Sequence, residues 1–254
     1  MKQEHNMTRH AIVTGASRGI GRAIAIGLAN RGYSLALNDI PAQEAVLLET
    51  IAEVKKLGGQ CIPVLADVSN IGDCQRAVSE AVQGLGHIDV LVNNAGILRL
   101  AMIDELTPEI WDQTFAVNVR GVFQMTQAVA AHMKERRYGR IVNIASLAAR
   151  TGGPGQSHYA ASKSAVVGFT RVTSMEFGGH GITVNAVCPG IILTEMGRNN
   201  LRDPERVTYF EKITDLHRLG EPEDVVGPVA FFASDDSAFV TGQALNVDGG
   251  IFYS

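Results

Sequence analysis

Residues 10–30 read HAIVTGASRGIGRAIAIGLAN, and this stretch decides the fold. His10 to Thr14 is a short β-rich run. Ile20 to Asn30 follows with apolar residues at Ile20, Ala23, Ile24 and Leu28, the spacing of one helix face. Between them lies Thr14-Gly15-Ala16-Ser17-Arg18-Gly19-Ile20-Gly21. Gly15 permits a sharp turn out of the strand. Gly19 and Gly21 let a diphosphate approach backbone N–H groups at the helix N-terminus, where the dipole favours an anion. The spacing is GxxxGxG, and its place between a strand and a helix marks it as a phosphate loop.

Outward from this loop, β-rich runs keep alternating with helical patterns. Strands are expected at Ser34 to Asn38, Cys61 to Ala66, Ile88 to Asn93, Arg140 to Ala145, Ile182 to Val187 and Ala244 to Val247. Helices are expected over Ala42 to Leu57, Ile71 to Gln83, Thr107 to Met133, Ser157 to Phe177 and Pro222 to Ala233. That order predicts an α/β fold: a doubly wound parallel β-sheet, Rossmann-like, with helices on both faces. No linker or repeat divides the chain, so residues 9–254 are expected to form a single dinucleotide-binding catalytic domain. Residues 1–8 are expected to be a disordered leader, in which Met7 offers a second start. One irregular insert, Ile191 to Leu219, is polar with weak helix signals; it reads as a mobile substrate lid, or as an ordinary surface loop.

The chain has 254 residues, 46% hydrophobic and 19% charged, with a net charge of −4. That is ample for a large core and excludes a disordered chain or a collagen. The mild acidity argues against nucleic acid as a partner, because phosphate binding needs a basic footprint. Three scattered cysteines, Cys61, Cys74 and Cys188, form neither a disulfide framework nor a CxxC pair, so no metal site is expected and a reducing, cytoplasmic setting is. No signal-peptide core opens the chain and no run is long enough to span a membrane.

Asp39 follows the second strand, 24 residues after Gly15, where a carboxylate can hold the adenosine ribose hydroxyls. It would repel a 2′-phosphate, whereas Arg18 could hold one; the balance favours NAD and leaves NADP open. Asp39 also reads as a turn residue before Pro41. Asp67, with Val68 beside it, could reach the adenine; it reads equally as a helix N-cap, a role open to Ser69 or Asn70 as well. Asn93-Asn94-Ala95-Gly96 suits a backbone packed beside the adenosine, or a plain turn. Tyr159-Ala160-Ala161-Ser162-Lys163 carries the chemistry. Tyr159 and Lys163 lie one helical turn apart on one face, and an ammonium beside a phenol favours phenolate. That makes a general acid/base, with Ser146 placed to hydrogen-bond the reacting oxygen.

Together these motifs resemble the short-chain dehydrogenase/reductase family, over roughly Arg9 to Phe252. The resemblance rests on the phosphate loop, Asp67, NNAG at 93–96, Asn118 in Asn118-Val119-Arg120-Gly121, Ser146, the Tyr159/Lys163 pair and Pro189-Gly190. It implies Tyr159 as proton carrier, and Lys163 as its pKa modulator and a holder of the nicotinamide ribose. It further implies Ser146 orienting the substrate and Asn118 holding a water. Pro189 and Gly190 would lie against the nicotinamide, with Ile192 and Thr194 near its carboxamide. The pocket walls are expected to include Ala148, Gly153, His158, Ile191 and Met196. The resemblance also implies a homotetramer, with the Ser157 helix and last strand at subunit contacts. Within the family, Thr14 to Gly21 and Gly181 to Gly190 resemble bacterial β-ketoacyl-carrier-protein reductases. Those usually use NADP and dock an acidic carrier through basic residues. Asp39, and the lack of an arginine in Gly178-Gly179-His180-Gly181, favour instead the NAD-linked branch acting on sugars, polyols and other small secondary alcohols, although Arg136 and Arg137 remain. A non-catalytic cofactor sensor on the same fold is the reading from another class. His132 and His180 read as surface residues and Trp111 as packing.

Overall fold

The computed structural model describes residues 8–201 and 203–253; residues 1–7 of the expected leader lie outside them. Seven strands form one parallel sheet: β1 His10–Thr14, β2 Ser34–Asp39, β3 Cys61–Leu65, β4 Val90–Asn93, β5 Gly139–Ile144, β6 Ile182–Pro189 and β7 Ala244–Val247. Their spatial order is β3-β2-β1-β4-β5-β6-β7. The chain therefore reverses direction between β1 and β4, and a crevice opens there at the carboxyl ends of the strands. Central strands are buried on both faces, β1, β4, β5 and β6 almost continuously, as their Val/Ile/Leu/Ala runs require.

Helices cover both faces. α1 Gly19–Ala29, α2 Glu44–Lys56 and α9 Pro222–Ala233 bury Ile24, Leu28, Leu47, Val225 and Val229 on one side. α3 Ile71–Leu85 and α5 Gly121–Arg136 bury Val78, Leu85, Met125 and Met133 on the other, together with Phe177 of α6 Ser157–Gly178. Gly27 of α1 lets α9 approach: a Cβ there would stand 2.1 Å from Val226 Cγ1.

The expected helical stretch at Thr107 to Met133 is two helices, α4 Pro108–Phe115 and α5, joined by a π-helical turn at Ala116–Arg120. The turn carries Asn118, whose side chain bonds Ile97 instead of staying with its own helix. Asn70 caps α3 by accepting from Asp73 N–H, so the capping role falls to it. The insert at 191–219 is not devoid of helix. It holds α7 Glu195–Asn200, capped by Thr194, and α8 Pro204–Ile213, capped by Asp203 with Pro204 in its first turn. Those caps were the available signals; the apolar pattern was weak because α8 has no buried residue. His132 is half-buried rather than on the surface, its Nε2 accepting from Ile88 N–H. Trp111 stacks on Phe115. No helix among the described residues is long and apolar enough to cross a membrane.

Candidate active site

The strand ends deliver the expected residues to one edge. Gly15 and Gly19 adopt φ of +64° and +54°, which side chains resist. A Cβ on Gly21 would lie 2.0 Å from the Gly15 carbonyl oxygen, so the loop closes on the helix only with glycine there. Asn94 braces this loop. Its Nδ2 donates to the Thr14 and Gly15 carbonyls at 2.9 and 3.0 Å, and Thr14 Oγ1 accepts from the Asn94 and Ala95 N–H groups. Asn93 is buried, donating to Thr126 and Asn143. The two amides thus hold the strand ends together.

Asp39 ends β2 with Oδ2 accepting from Ser17 N–H at 3.1 Å and Oδ1 from Ile40 N–H. Ser17 Oγ is buried beside it and has no partner. Asp67 Oδ1 accepts from Ser69 N–H, and Val68 packs beneath Gly121. Arg18 pairs with Glu195 of α7 at 2.7 Å, and Thr194 Cγ2 would lie 3.2 Å from a Cβ on Gly19. The insert is thereby folded over the phosphate loop.

Tyr159, Lys163, Asn118 and Ser146 meet beyond β4 and β5. Lys163 Nζ donates to the Ile144 carbonyl at 2.8 Å and stands 5.7 Å from the Tyr159 ring centroid. A Cβ built on Gly96 would lie 3.4 Å from both Lys163 Nζ and Asn118 Oδ1, so the strand end, the π-turn and α6 converge there. Asn118 is fully buried. Its Oδ1 accepts from Ile97 N–H, and its Nδ2 donates to the Ile97 carbonyl and to Ser162 Oγ at 3.1 Å. Ser162, whose Oγ donates to the Tyr159 carbonyl at 2.7 Å, was missed from sequence; it sits inside the quoted YAASK and ties the π-turn to the tyrosine.

The electrostatics depart from the expectation. Burial pushes the Tyr159 phenol above its ordinary value, and a hydrogen bond with Ser146 only partly offsets this. Lys163 does not lower it in the protein alone; burial brings the lysine itself down to about 8. Desolvation is the leading cause for both groups, Lys163 being buried and Tyr159 part-exposed at its side.

Of the expected pocket residues, Ile191 lines a cavity of about 460 Å³ with Leu216, Asn246 and Asp248, beneath the insert. Ala148 sits beside Ser146, its N–H donating to Ser146 Oγ. Gly153 and Met196 are exposed. His158 is corrected: it is fully buried, with Nε2 against the Arg99 carbonyl at 3.0 Å, and presents no surface to a substrate. One residue from Tyr159 is about 100° around a helix, which turns it into the protein. Ile192 is buried and bridges to Gly220. Gly190 lies under Asp248, whose Cα a Cβ would meet at 2.7 Å.

A family model described as Enoyl-(Acyl carrier protein) reductase matches residues 15–252. The chain belongs to the short-chain dehydrogenase/reductase family. An L-rhamnose 1-dehydrogenase (NAD(P)(+)) of Sphingomonas sp. (strain SKA58) is 43% identical over 246 residues, covering 95% of each chain. A 3-oxoacyl-(acyl-carrier-protein) reductase of Staphylococcus epidermidis is 39% identical over 246 residues, 97% of this chain and all of that one. A gluconate 5-dehydrogenase from Burkholderia cenocepacia J2315, solved with NADP and tartrate, superposes with a TM-score of 0.91 at 36% identity, covering 96% and 94% of the two chains. This short-chain dehydrogenase/reductase is an enzyme, an NAD(P)-dependent oxidoreductase interconverting alcohols and ketones. Its residues fit the dinucleotide: the glycine cradle, the Asp39 carboxylate and the partnerless Ser17 hydroxyl stand together at the crevice.

Proposed function

We propose that this enzyme is an NAD-preferring dehydrogenase of a small polyhydroxylated secondary alcohol, a sugar or polyol. The observation that carries the proposal is the convergence of Lys163 and Asn118 at Gly96, with the Tyr159 ring 5.7 Å from Lys163 Nζ and Ser146 on the phenol. Asp39 supports NAD, since a carboxylate held at the end of β2 repels a 2′-phosphate. Arg18, the cation that could favour NADP, is taken up by Glu195.

In the proposed roles, backbone N–H groups at Gly19–Gly21 receive the diphosphate, and Asp39 with Ser17 receives the adenosine ribose. Asp67, Val68, Asn94, Ala95 and Gly96 frame the adenosine side; Pro189, Gly190, Ile192 and Thr194 frame the nicotinamide side. When bound, the nicotinamide accepts or supplies the hydride. Tyr159 Oη passes the proton to or from the substrate oxygen, and Ser146 orients that oxygen. The raised phenol pKa keeps Tyr159 protonated near neutrality, the form that donates during ketone reduction. Lys163 holds the ribose and supplies positive charge. The buried Asn118 carboxamide is consumed by Ile97 and Ser162, so its role is to shape the π-turn that borders the proton path.

Arg136 is held by Asp89 and Arg137 reaches the Gly179 carbonyl, so neither guanidinium stands without a partner for a carrier protein. Exposed Phe123, Val172 and Met175 on α5 and α6, with Leu245 on β7 and Phe239, support burial of both faces in a homotetramer. The three cysteines are free thiols, buried, as a cytoplasmic setting would allow. The test is a panel of sugars, polyols and a 3-oxoacyl thioester, each with NAD(H) and NADP(H). Preference for a free polyol with NAD is expected, and thioester turnover with NADPH as the best reaction overturns the proposal. Tyr159→Phe is expected to lower kcat by about 10²–10⁴ with cofactor binding kept; unchanged turnover refutes its role.

A further inference from the structure

Three residues sit together at the edge of the sheet opposite the active site. His10 opens β1; His87 and Asp89 precede β4. Each offers a metal-ligating atom, and these atoms all lie within 4.8 Å of one another. His87 Nε2 is 3.1 Å from Asp89 Oδ2, and the two imidazole centroids are 4.1 Å apart. The sequence concealed this group because His10 and His87 are 77 residues apart and no short spacing joins them.

We propose that His10, His87 and Asp89 form a binding site for a divalent transition-metal ion, zinc being the probe of choice. Ligand atoms 3.1 Å apart subtend about 95° at a metal ~2.1 Å from each, between the ~3.0 Å edge of an octahedron and the ~3.4 Å edge of a tetrahedron. The surrounding bonds are those that orient metal ligands. His10 Nδ1 stands 3.1 Å from the His87 carbonyl, the place for a donated ring N–H, and this leaves Nε2 for the ion. Asp89 is 2% exposed and divides its oxygens: Oδ1 accepts from Arg136 at 3.2 Å, Oδ2 faces His87 and also accepts from His10 N–H. The carboxylate is thus braced to ligate through one oxygen. Both imidazoles are part-exposed, which gives an ion access from solvent. Arg136 is the opposing charge, and its repulsion sets a ceiling on affinity.

Such an ion would tie β1 to β4 at their amino ends. Because the catalytic residues occupy the carboxyl ends, it would act on stability and leave turnover alone. The experiment is a zinc titration of the full chain without an affinity tag, followed by calorimetry and thermal unfolding. One zinc per chain, a raised Tm and unchanged kcat are expected. His10→Gln and His87→Gln are each expected to weaken binding at least tenfold. Arg136→Gln, which keeps a donor for Asp89 but removes the charge, is expected to tighten it. Absence of saturable binding in the parent protein, or binding unaltered in both histidine variants, overturns the proposal. Because Arg136→Gln predicts a gain, misfolding of a variant cannot imitate the whole pattern.

Discussion

Lys163→Met isolates the energetic cost of a buried lysine. Lys163 is 4% exposed and its pKa falls to about 8 from an ordinary value of 10.5, desolvation being the main cause. The folded chain therefore binds fewer protons here than the unfolded chain between these two values, and stability rises with pH across that window. Below pH 8 the buried ammonium costs about 3 kcal/mol relative to a group without the shift. About 2 kcal/mol of this is recovered between pH 7 and pH 9.5. Methionine removes the charge at similar length and gives up the bond to the Ile144 carbonyl, a loss of about 1–3 kcal/mol that does not vary with pH. The two effects nearly cancel at pH 7, so the variant is expected to match the parent in stability there while losing most of its turnover. The assay is urea unfolding of both proteins at pH 7 and pH 9.5, at one protein concentration. The parent is expected to gain about 2 kcal/mol on the variant at the higher pH. A difference that stays constant with pH would show that the lysine keeps its ordinary pKa, and the desolvation argument would fall.

Asp39→Asn keeps an acceptor for Ser17 N–H but removes the charge; the ratio of kcat/KM for NAD over NADP is expected to drop roughly 10- to 100-fold, from about 1–3 kcal/mol of lost repulsion. Gly21→Ala drives a methyl toward the Gly15 carbonyl, and thermal unfolding is expected to show a loss of about 1–3 kcal/mol together with weaker cofactor binding. Ser17→Ala removes a buried hydroxyl with no partner; the protein alone is expected to gain up to about 1–2 kcal/mol, while calorimetry shows weaker NAD binding. Each fails if the stated direction reverses.

Much of this site was legible because the chemistry follows the strand ends. The bounds of His10–Thr14, Pro222–Ala233 and Ala244–Val247 agree with the sequence reading, since apolar runs are local signals. The Tyr159/Lys163 pairing likewise needs only helical spacing. What stayed hidden depends on distant partners. The π-turn at Ala116–Arg120 arises where Asn118 meets Ile97 and Ser162, residues 21 and 44 positions away. The rise of the Tyr159 pKa depends on burial, which spacing alone does not report. Asn93-Asn94-Ala95-Gly96 read as a backbone packed beside adenosine or as a turn, and neither reading reports that the Asn94 amide bonds the Thr14 and Gly15 carbonyls.

Unmet hydrogen bonding is distributed unevenly along the strands. Among the described residues, the buried side-chain atoms without partners are Ser17 Oγ, Asn38 Oδ1, Arg150 Nε, His158 Nδ1, Thr183 Oγ1 and Asn246 Oδ1. Ser17, Asn38 and Asn246 lie at or just beyond the carboxyl ends of β1, β2 and β7, Arg150 in the segment between β5 and α6, His158 at the start of α6, and Thr183 at the amino end of β6. At the amino ends, by contrast, Asp89 is satisfied by Arg136, His87 and His10 N–H, and Arg140 by Asp235 and the carbonyls of Ser234 and Gly139. An unpaired buried polar atom costs about 1–3 kcal/mol, so a fold selected for stability alone would not gather them at one edge. Ser17 Oγ and Asn246 Oδ1 fall where a dinucleotide or a substrate would bring donors and acceptors, whereas His158 Nδ1 is sealed inside the protein. The same edge holds the desolvated Lys163, Gly15 and Gly19 with their positive φ, and the π-turn. Stability is therefore given up along the rim where binding can return it, whereas at the opposite rim the buried charges of Asp89 and Arg140 are paired and Thr183 Oγ1 is the exception.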